Sequence, residues 1–153
     1  MKPLSHADFA PRLIIWQRQH GRHALPWQGG AAGDAYPVWL SEIMLQQTQV
    51  ETVIPYFQRF LQRFPDLATL AAADQDAVLG LWSGLGYYSR ARNLHKAAQR
   101  IASGHGGAFP QDFEQILELP GIGRSTAAAI TAFAYGQRRA ILDGNVKRVL
   151  ARL

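Results

Sequence analysis

Leu119-Pro120-Gly121-Ile122-Gly123-Arg124-Ser125-Thr126 runs straight into Ala127-Ala128-Ala129-Ile130. Two glycines flanking one isoleucine give a turn, because glycine enters positive φ without steric cost and lets the backbone approach an outside partner. The small-residue run that follows reads as a helix. Amides of the turn and of the helix's first residues then point outward together, an arrangement that suits an anion, and phosphate best. A plain Gly-x-Gly turn between two helices accounts for the stretch equally well, so the flanking sequence decides.

On the upstream side, Asp112 with Gln115 caps a helix of about two turns that leads into the turn. Downstream, Gly136 ends the alanine-rich helix, 138–142 reads as extended or irregular, and Asp143-Gly144-Asn145 opens a last helix. Val146, Val149, Leu150 and Leu153 begin an apolar stripe that stops in mid-pattern, as expected of a fragment of a longer protein.

Further upstream, Tyr88, Ala91, Leu94, Ala98 and Ile101 form one face of a long helix closed by Gly104. Arg90, Arg92, Lys96 and Arg100 fill the rest of it and are expected on a solvated face. Before it stands a second glycine turn, Ser83-Gly84-Leu85-Gly86, followed by Tyr87-Tyr88. Aromatics beside arginines incline this turn towards nucleic acid. Asp74 caps a short helix ending near Trp82. Val50, Val53, Ile54, Phe57, Leu61 and Phe64 give another helix its core-facing stripe, with a kink expected at Pro55. Thr48 and Glu51 make a Thr-x-x-Glu capping box at its start, which leaves Gln46 and Gln47 on a break between helices, free to project.

The preceding helix is predicted over 38–47, with Pro37 in its first turn. Its Glu42 has Val38, Trp39, Leu45 and Gln46 as helical neighbours. A carboxyl so placed is poorly solvated, and desolvation raises its pKa towards that of a proton donor. A surface glutamate at a helix edge is the plainer reading; the setting still makes Glu42 the best acid candidate in the chain. The first helix is capped by Asp8, carries Pro11 in its opening turn and ends at Gly21, and a glycine- and alanine-rich loop follows. All five histidines are read as surface residues.

This makes about eight helices and no strand pattern, an all-α chain of 153 residues whose 48% hydrophobic content supports a real core. A net charge of +5 and a pI near 10.0 favour a polyanionic partner. With no cysteine, the chain has no disulfide, thiol nucleophile or cysteine-held metal of its own. No apolar run approaches the roughly 18 residues of a membrane helix, so no membrane partner is expected. Without a leader pattern, a cytoplasmic, nucleoid-associated location is the default. Neither GxxxxGK(S/T) nor HExxH occurs.

Four stretches carry a resemblance. Leu119 through Ala127 resembles the hairpin of the helix-hairpin-helix DNA glycosylases, and Ile141-Leu142-Asp143-Gly144-Asn145-Val146 their aspartate segment. Ser41-Glu42-Ile43-Met44-Leu45-Gln46-Gln47-Thr48-Gln49-Val50 and Trp82-Ser83-Gly84-Leu85-Gly86-Tyr87-Tyr88-Ser89-Arg90 resemble one branch, the MutY-type adenine DNA glycosylases. The resemblance implies the helix-hairpin-helix glycosylase fold, as a six-helix barrel region plus part of a second helical lobe. Residues 1–25 and 141–153 would belong to that incomplete lobe. It further implies a monomeric enzyme of base-excision repair, acting on double-stranded DNA that holds adenine opposite 8-oxoguanine or guanine. Such an enzyme extrudes the adenine and hydrolyses it off, leaving an abasic site.

By the same resemblance Glu42 is the catalytic acid, Asp143 the ionised carboxylate that steadies the sugar cation, and Asn145 the residue that orients the aspartate or the water. Gln47 and Tyr87 wedge into the duplex, with Gln46 and Thr48 beside them. Gly121, Gly123, Arg124, Thr126 and Lys147 contact the DNA backbone. Arg22, Leu25, Trp27 and Leu45 line the adenine pocket. The carbonyls of Leu117, Leu119 and Ile122 hold a monovalent cation, K+ or Na+. Ser125 stands where bifunctional relatives such as endonuclease III carry a Schiff-base lysine, and serine forms no imine, so a monofunctional glycosylase is implied. Intact family members carry a 4Fe–4S cluster on four cysteines and a C-terminal recognition domain, and neither is in this chain. The alternatives are a fragment that only binds DNA and a bifunctional glycosylase/lyase.

Overall fold

Helix α2 (Ala35–Met44) is the most deeply placed element of the computed structural model, which describes residues 6–152. Seven of its ten residues are buried, Trp39, Leu40 and Met44 completely. It starts three residues before the predicted point because the Asp34 carboxylate accepts the Tyr36 N–H at 3.2 Å and caps it. Pro37 still falls in the first turn, where its missing N–H costs nothing.

The remaining helices are α1 (His6–His20), α3 (Val50–Arg63), α4 (Leu67–Ala72), α5 (Gln75–Trp82), α6 (Ser89–Gly104), α7 (Phe113–Leu117), α8 (Arg124–Tyr135) and α9 (Gly144–Leu150). Nine helices and no strand are present among the described residues, an all-α fold as read from the sequence. α2 packs most extensively on α8, whose Ala127, Ala128 and Ala129 are buried and let the two backbones approach closely. Below them α6 packs against α4 and α5, while α3 packs against α2 and α5. The core between them is aromatic: Phe60 meets Phe64 and Trp82 edge-on at centroid separations of 5.2 and 6.2 Å. Each such pair adds about 0.5–1.5 kcal/mol beyond its buried area.

α7, the turn and α8 form the helical hairpin. Asp112 caps α7 through the Gln115 N–H at 3.0 Å, as predicted. Gly121 turns the chain at φ +80°, and Gly123 stands as N-cap of α8 with no side-chain cap. Gly136, in the left-handed region at φ 65°, closes α8.

Several expectations are corrected. α4 is an extra helix; its six residues give too short a period to read, although Asp66 caps it through Thr69 at 2.8 Å. α1 begins at His6, so Asp8 sits in its first turn and Pro11 inside the helix. Thr48 does not cap α3. Gln49 is the N-cap residue, and the Thr48 hydroxyl donates to the Gln46 carbonyl instead. α3 runs on through Pro55 as one element. Tyr88 is exposed at the head of α6, not on its inner face. Arg90 and His95 are buried, at 8% and 3% exposure, not solvated: His95 falls beside Leu94 on the inner face, and Arg90 reaches the open end of α2. The side chain of His6 lies outside the described side chains, and Leu153 outside the described residues. On α9, Val149 and Leu150 are exposed, as are Leu13, Ile14, Ile15 and Trp16 on α1.

The hairpin glycines should respond unequally to substitution. A Cβ on Gly121 would sit 3.0 Å from the Asn93 Cβ in a backbone region that side chains avoid, whereas Gly123 has ordinary φ and open space. Gly121→Ala should destabilise the fold by about 1–2 kcal/mol in urea denaturation, and Gly123→Ala by less than about 0.5 kcal/mol.

Candidate active site

The C-terminal half of α2, the turn after it, the start of α8 and the start of α9 enclose a cleft of about 890 Å³. Its walls include Arg22, Glu42, Leu45, Gln46, Gln47, Thr48, Ser125, Thr126, Asp143 and Asn145. The fold thus brings together residues from positions 22 to 145 that the sequence had singled out separately.

Glu42 is the sole charged residue of α2 and only partly reaches solvent. Burial pushes its carboxyl up to about 7, and the negative charge of Asp143 adds to the rise. Asp143 is exposed and N-caps α9, its Oδ1 accepting the Val146 N–H at 2.8 Å. Two carboxyls in opposite surroundings therefore face one cavity: one shielded, one served by backbone amides. The negative charge of Asp143 opposes ionisation of Glu42.

Asn145 Oδ1 accepts from Arg148 Nη2 at 2.7 Å, and its side chain makes no hydrogen bond to Asp143. Arg148 itself lines the cleft, whereas Lys147, one residue earlier on α9, is exposed and outside its walls. Among the described residues no lysine lines the cleft. Ser125 and Thr126, half-buried in the first turn of α8, do line it. The N–H groups at the start of α8 have no partner within the helix, as at any helix start. Gln46 Nε2 donates to the Gly121 carbonyl at 3.4 Å and joins the α2 turn to the hairpin. Arg124 is exposed at the head of α8, with its guanidinium 5.3 Å from the Phe113 ring centroid.

The four expected pocket residues divide. Arg22 and Leu45 border the main cleft, Arg22 through an exposed 3.4 Å ion pair with Glu51 that fixes its place more than it stabilises the fold. Trp27 borders a second cavity of about 380 Å³ with Val38, Ser41 and Phe133, packed edge-on to Phe57 at 5.3 Å. Glu42 lines both cavities. Leu25 borders neither; its N–H is held by Gln28 Oε1 at 3.0 Å. Gln47 and Tyr87 are exposed, Tyr87 at 62%. The predicted site residues did not include Gln49, Val50, Glu51, Ile141, Gly144 or Arg148, which also line the walls; for Arg148 the i, i+3 spacing from Asn145 on a helix is a signal that could have found it.

Residues 40–153 match the HhH-GPD superfamily of base excision DNA repair proteins. The chain belongs to this superfamily. Proteins named adenine DNA glycosylase are 50% identical to it over 144 residues in Buchnera aphidicola subsp. Baizongia pistaciae and 45% identical over 152 residues in Homo sapiens. These matches cover 94% and 95% of this chain, which spans 40% of the bacterial relative and 28% of the human one. A solved thermostable thymine-DNA glycosylase superposes with a TM-score of 0.86 at 25% identity, over 94% of this chain and 65% of that one. An endonuclease III–DNA complex superposes at 0.79 with 19% identity, covering 96% of this chain and 68% of that one, and shares the fold.

The chain holds no cysteine, and among the described residues no group of three or more His, Asp or Glu is placed to hold a metal ion. Nor, among the described residues, is any helix long and apolar enough to cross a membrane.

The Glu42 carboxyl should titrate near pH 7 in a carboxyl 13C NMR titration, and Asp143→Asn, which keeps a cap on α9, should lower that midpoint. Because the folded-state pKa lies above the ordinary 4.5, stability tied to Glu42 is complete below pH 4.5 and is lost as pH rises through 7. Glu42→Gln should therefore match the parent near pH 4 and exceed it by on the order of 2 kcal/mol at pH 8, read from urea unfolding at both values.

Proposed function

We propose that the chain carries the catalytic centre of an adenine DNA glycosylase acting on adenine opposite 8-oxoguanine or guanine in duplex DNA. The observation that carries this reading is the pair of carboxyls in opposite surroundings on one cleft, Glu42 shielded and Asp143 capping a helix. Its relatives' names support the choice of base.

In this reading the target nucleotide leaves the stack and enters the cleft, while Gln47 and Tyr87 fill the space it vacates. Gln46 and Thr48 border that wedge. Gly121, Gly123, Arg124 and Thr126 grip a backbone phosphate at the hairpin, and Lys147 meets another from outside the cleft. A monovalent cation on the carbonyls of Leu117, Leu119 and Ile122 would brace the hairpin. Glu42, which keeps a substantial acid fraction up to about pH 7, gives its proton to a ring nitrogen of adenine. The N-glycosidic electron pair then leaves on a neutral base. Asp143 steadies the oxocarbenium-like sugar, and water adds at C1′, its released proton restoring Glu42. Asn145 and Arg148 set the edge of the cleft beside Asp143. Arg22, Leu45 and Trp27 shape the space on either side of Glu42.

Ser125 fills the position of a Schiff-base lysine, and no lysine reaches the cleft among the described residues, which favours hydrolysis without strand cleavage. A bifunctional enzyme would need an amine at the sugar.

Duplex DNA with adenine opposite 8-oxoguanine, incubated with the chain and then treated with alkali, should be cut at the adenine. Without alkali it should stay intact. Glu42→Gln and Asp143→Asn should each lower the single-turnover rate by about 10²-fold or more. The wild-type rate should fall about tenfold per pH unit above 7, as the acid form of Glu42 is lost. Binding of this duplex with no base release at any pH would leave a DNA-binding protein only, and borohydride trapping on one lysine would indicate the bifunctional class.

A further inference from the structure

Gln47 and Tyr87 are the two non-glycine residues with positive φ among the described residues, at 57° and 50°. Side chains in this region are sterically disfavoured and persist where the surroundings hold them. Both residues are exposed, so the packing of their own side chains does not do the holding.

The residue ahead of each is gripped by the same guanidinium. Arg90 Nη1 donates to the Gln46 carbonyl, and Nη2 donates to the Gly86 carbonyl at 3.2 Å. Nη1 also reaches the Ile43 and Met44 carbonyls at the end of α2, at 3.1 and 2.8 Å; the Ile43 carbonyl also accepts the Gln46 N–H at 3.3 Å. Nη2 reaches Thr48 Oγ1 at 3.2 Å, just beyond Gln47. Trp82 Nε1 donates to the Gly86 carbonyl at 3.1 Å from the other side. The guanidinium carbon lies 5.4 Å from the Trp82 ring centroid and 5.6 Å from that of Tyr87. One buried cation thus ties the end of the Glu42 helix, the Gln47 turn and the Tyr87 loop. Two loops 40 positions apart in the chain share a single anchor.

We propose that Arg90 is a positioning residue that presets Gln47 and Tyr87 as one two-pronged element, so that both enter the duplex together and neither loop adjusts independently. This rests on the wedge role proposed above. A lysine cannot substitute, because its three donors leave one nitrogen and cannot form the planar fork that serves both loops.

Backbone 15N order parameters of the free chain test the anchor without DNA. In the wild type, Gln47 and Tyr87 should be as rigid as α8, near 0.85; in Arg90→Lys both should fall, towards 0.6, with α8 unchanged. Retained rigidity at either residue would overturn the proposal. Should Arg90→Lys not fold, a double-mutant cycle in the wild-type background decides, since Gln47→Ala and Tyr87→Ala alter surface residues. Affinity for a duplex with adenine opposite 8-oxoguanine should drop with each single variant. The double variant should lose at least fivefold less than the product of the two losses. Losses that multiply would mean two independent loops and defeat the proposal. If the wild type binds this duplex no better than a fully paired one, the functional reading fails on its own, and the order parameters still decide the anchor.

Discussion

The structure turns on a single mismatch of environment: one carboxyl placed on the helix the fold buries most completely. α2 reads Ala-Tyr-Pro-Val-Trp-Leu-Ser-Glu-Ile-Met, and every neighbour of Glu42 on it is apolar, small or already hydrogen-bonded. Trp39, Leu40, Ile43 and Met44 must go inside, which drags Glu42 to the edge of the core and strips most of its water. The rise to about 7 follows from that placement first and from Asp143 second. Asp143 stands at the helix start of α9, where its carboxylate accepts the Val146 N–H. No special chemistry separates the two acids. A buried helix face and an open helix end, brought to the same cleft, are sufficient.

The cleft keeps its shape through a few bonds between segments remote in sequence. Gln46 ties the α2 turn to the hairpin at Gly121, and Gly121 in turn packs on Asn93 of α6. Arg90 ties the same turn to the Gly86 loop, and the Tyr56 hydroxyl holds that loop to α3 through the Ser83 carbonyl at 2.9 Å. A Cβ on Gly84 would run into that hydroxyl at 2.4 Å, so the glycine is required by close approach as well as by its φ of 92°. The site is therefore braced by α3, α6 and the hairpin together, and its walls are not free loops.

What could be read from the sequence follows the range of the force involved. The hairpin glycines, the Asp112 and Asp143 caps, the glycine turn before Tyr87 and the poor solvation of Glu42 are all written within four residues of the group concerned. They appear in the structure where the pattern put them. The errors concern residues whose fate a distant partner decides. Thr48 fits a capping box, but Arg90 and Gln46 claim its hydroxyl first. Arg90 belongs by spacing to a charged helix face, yet the carbonyls of Ile43 and Met44 at the end of α2, 47 and 46 positions away, take its guanidinium into the interior. His95 shows the same limit, since nothing local separates an inward histidine beside Leu94 from an outward one. Arg148 and Glu51 became wall residues only when α3, α9 and the segment of Arg22 converged.

The departures from local rules are not scattered through the fold. The acid with the raised pKa, the two side-chain-bearing residues in the left-handed region, and the glycine crowded by Asn93 all border the cleft or the turns joined to it. Elsewhere the helices obey their own signals: Asp34, Asp66 and Asp112 cap, Gly136 terminates, and aromatic rings fill the centre. A chain selected for stability alone would relax such features, since a glutamine in place of Glu42, or glycines at positions 47 and 87, would remove their cost. Their convergence beside one cleft is the energetic basis of the functional reading proposed above. The chemistry of that face, a proton donor opposite an anion beside exposed amides and basic residues, is what cleavage of a glycosidic bond in a polyanion requires.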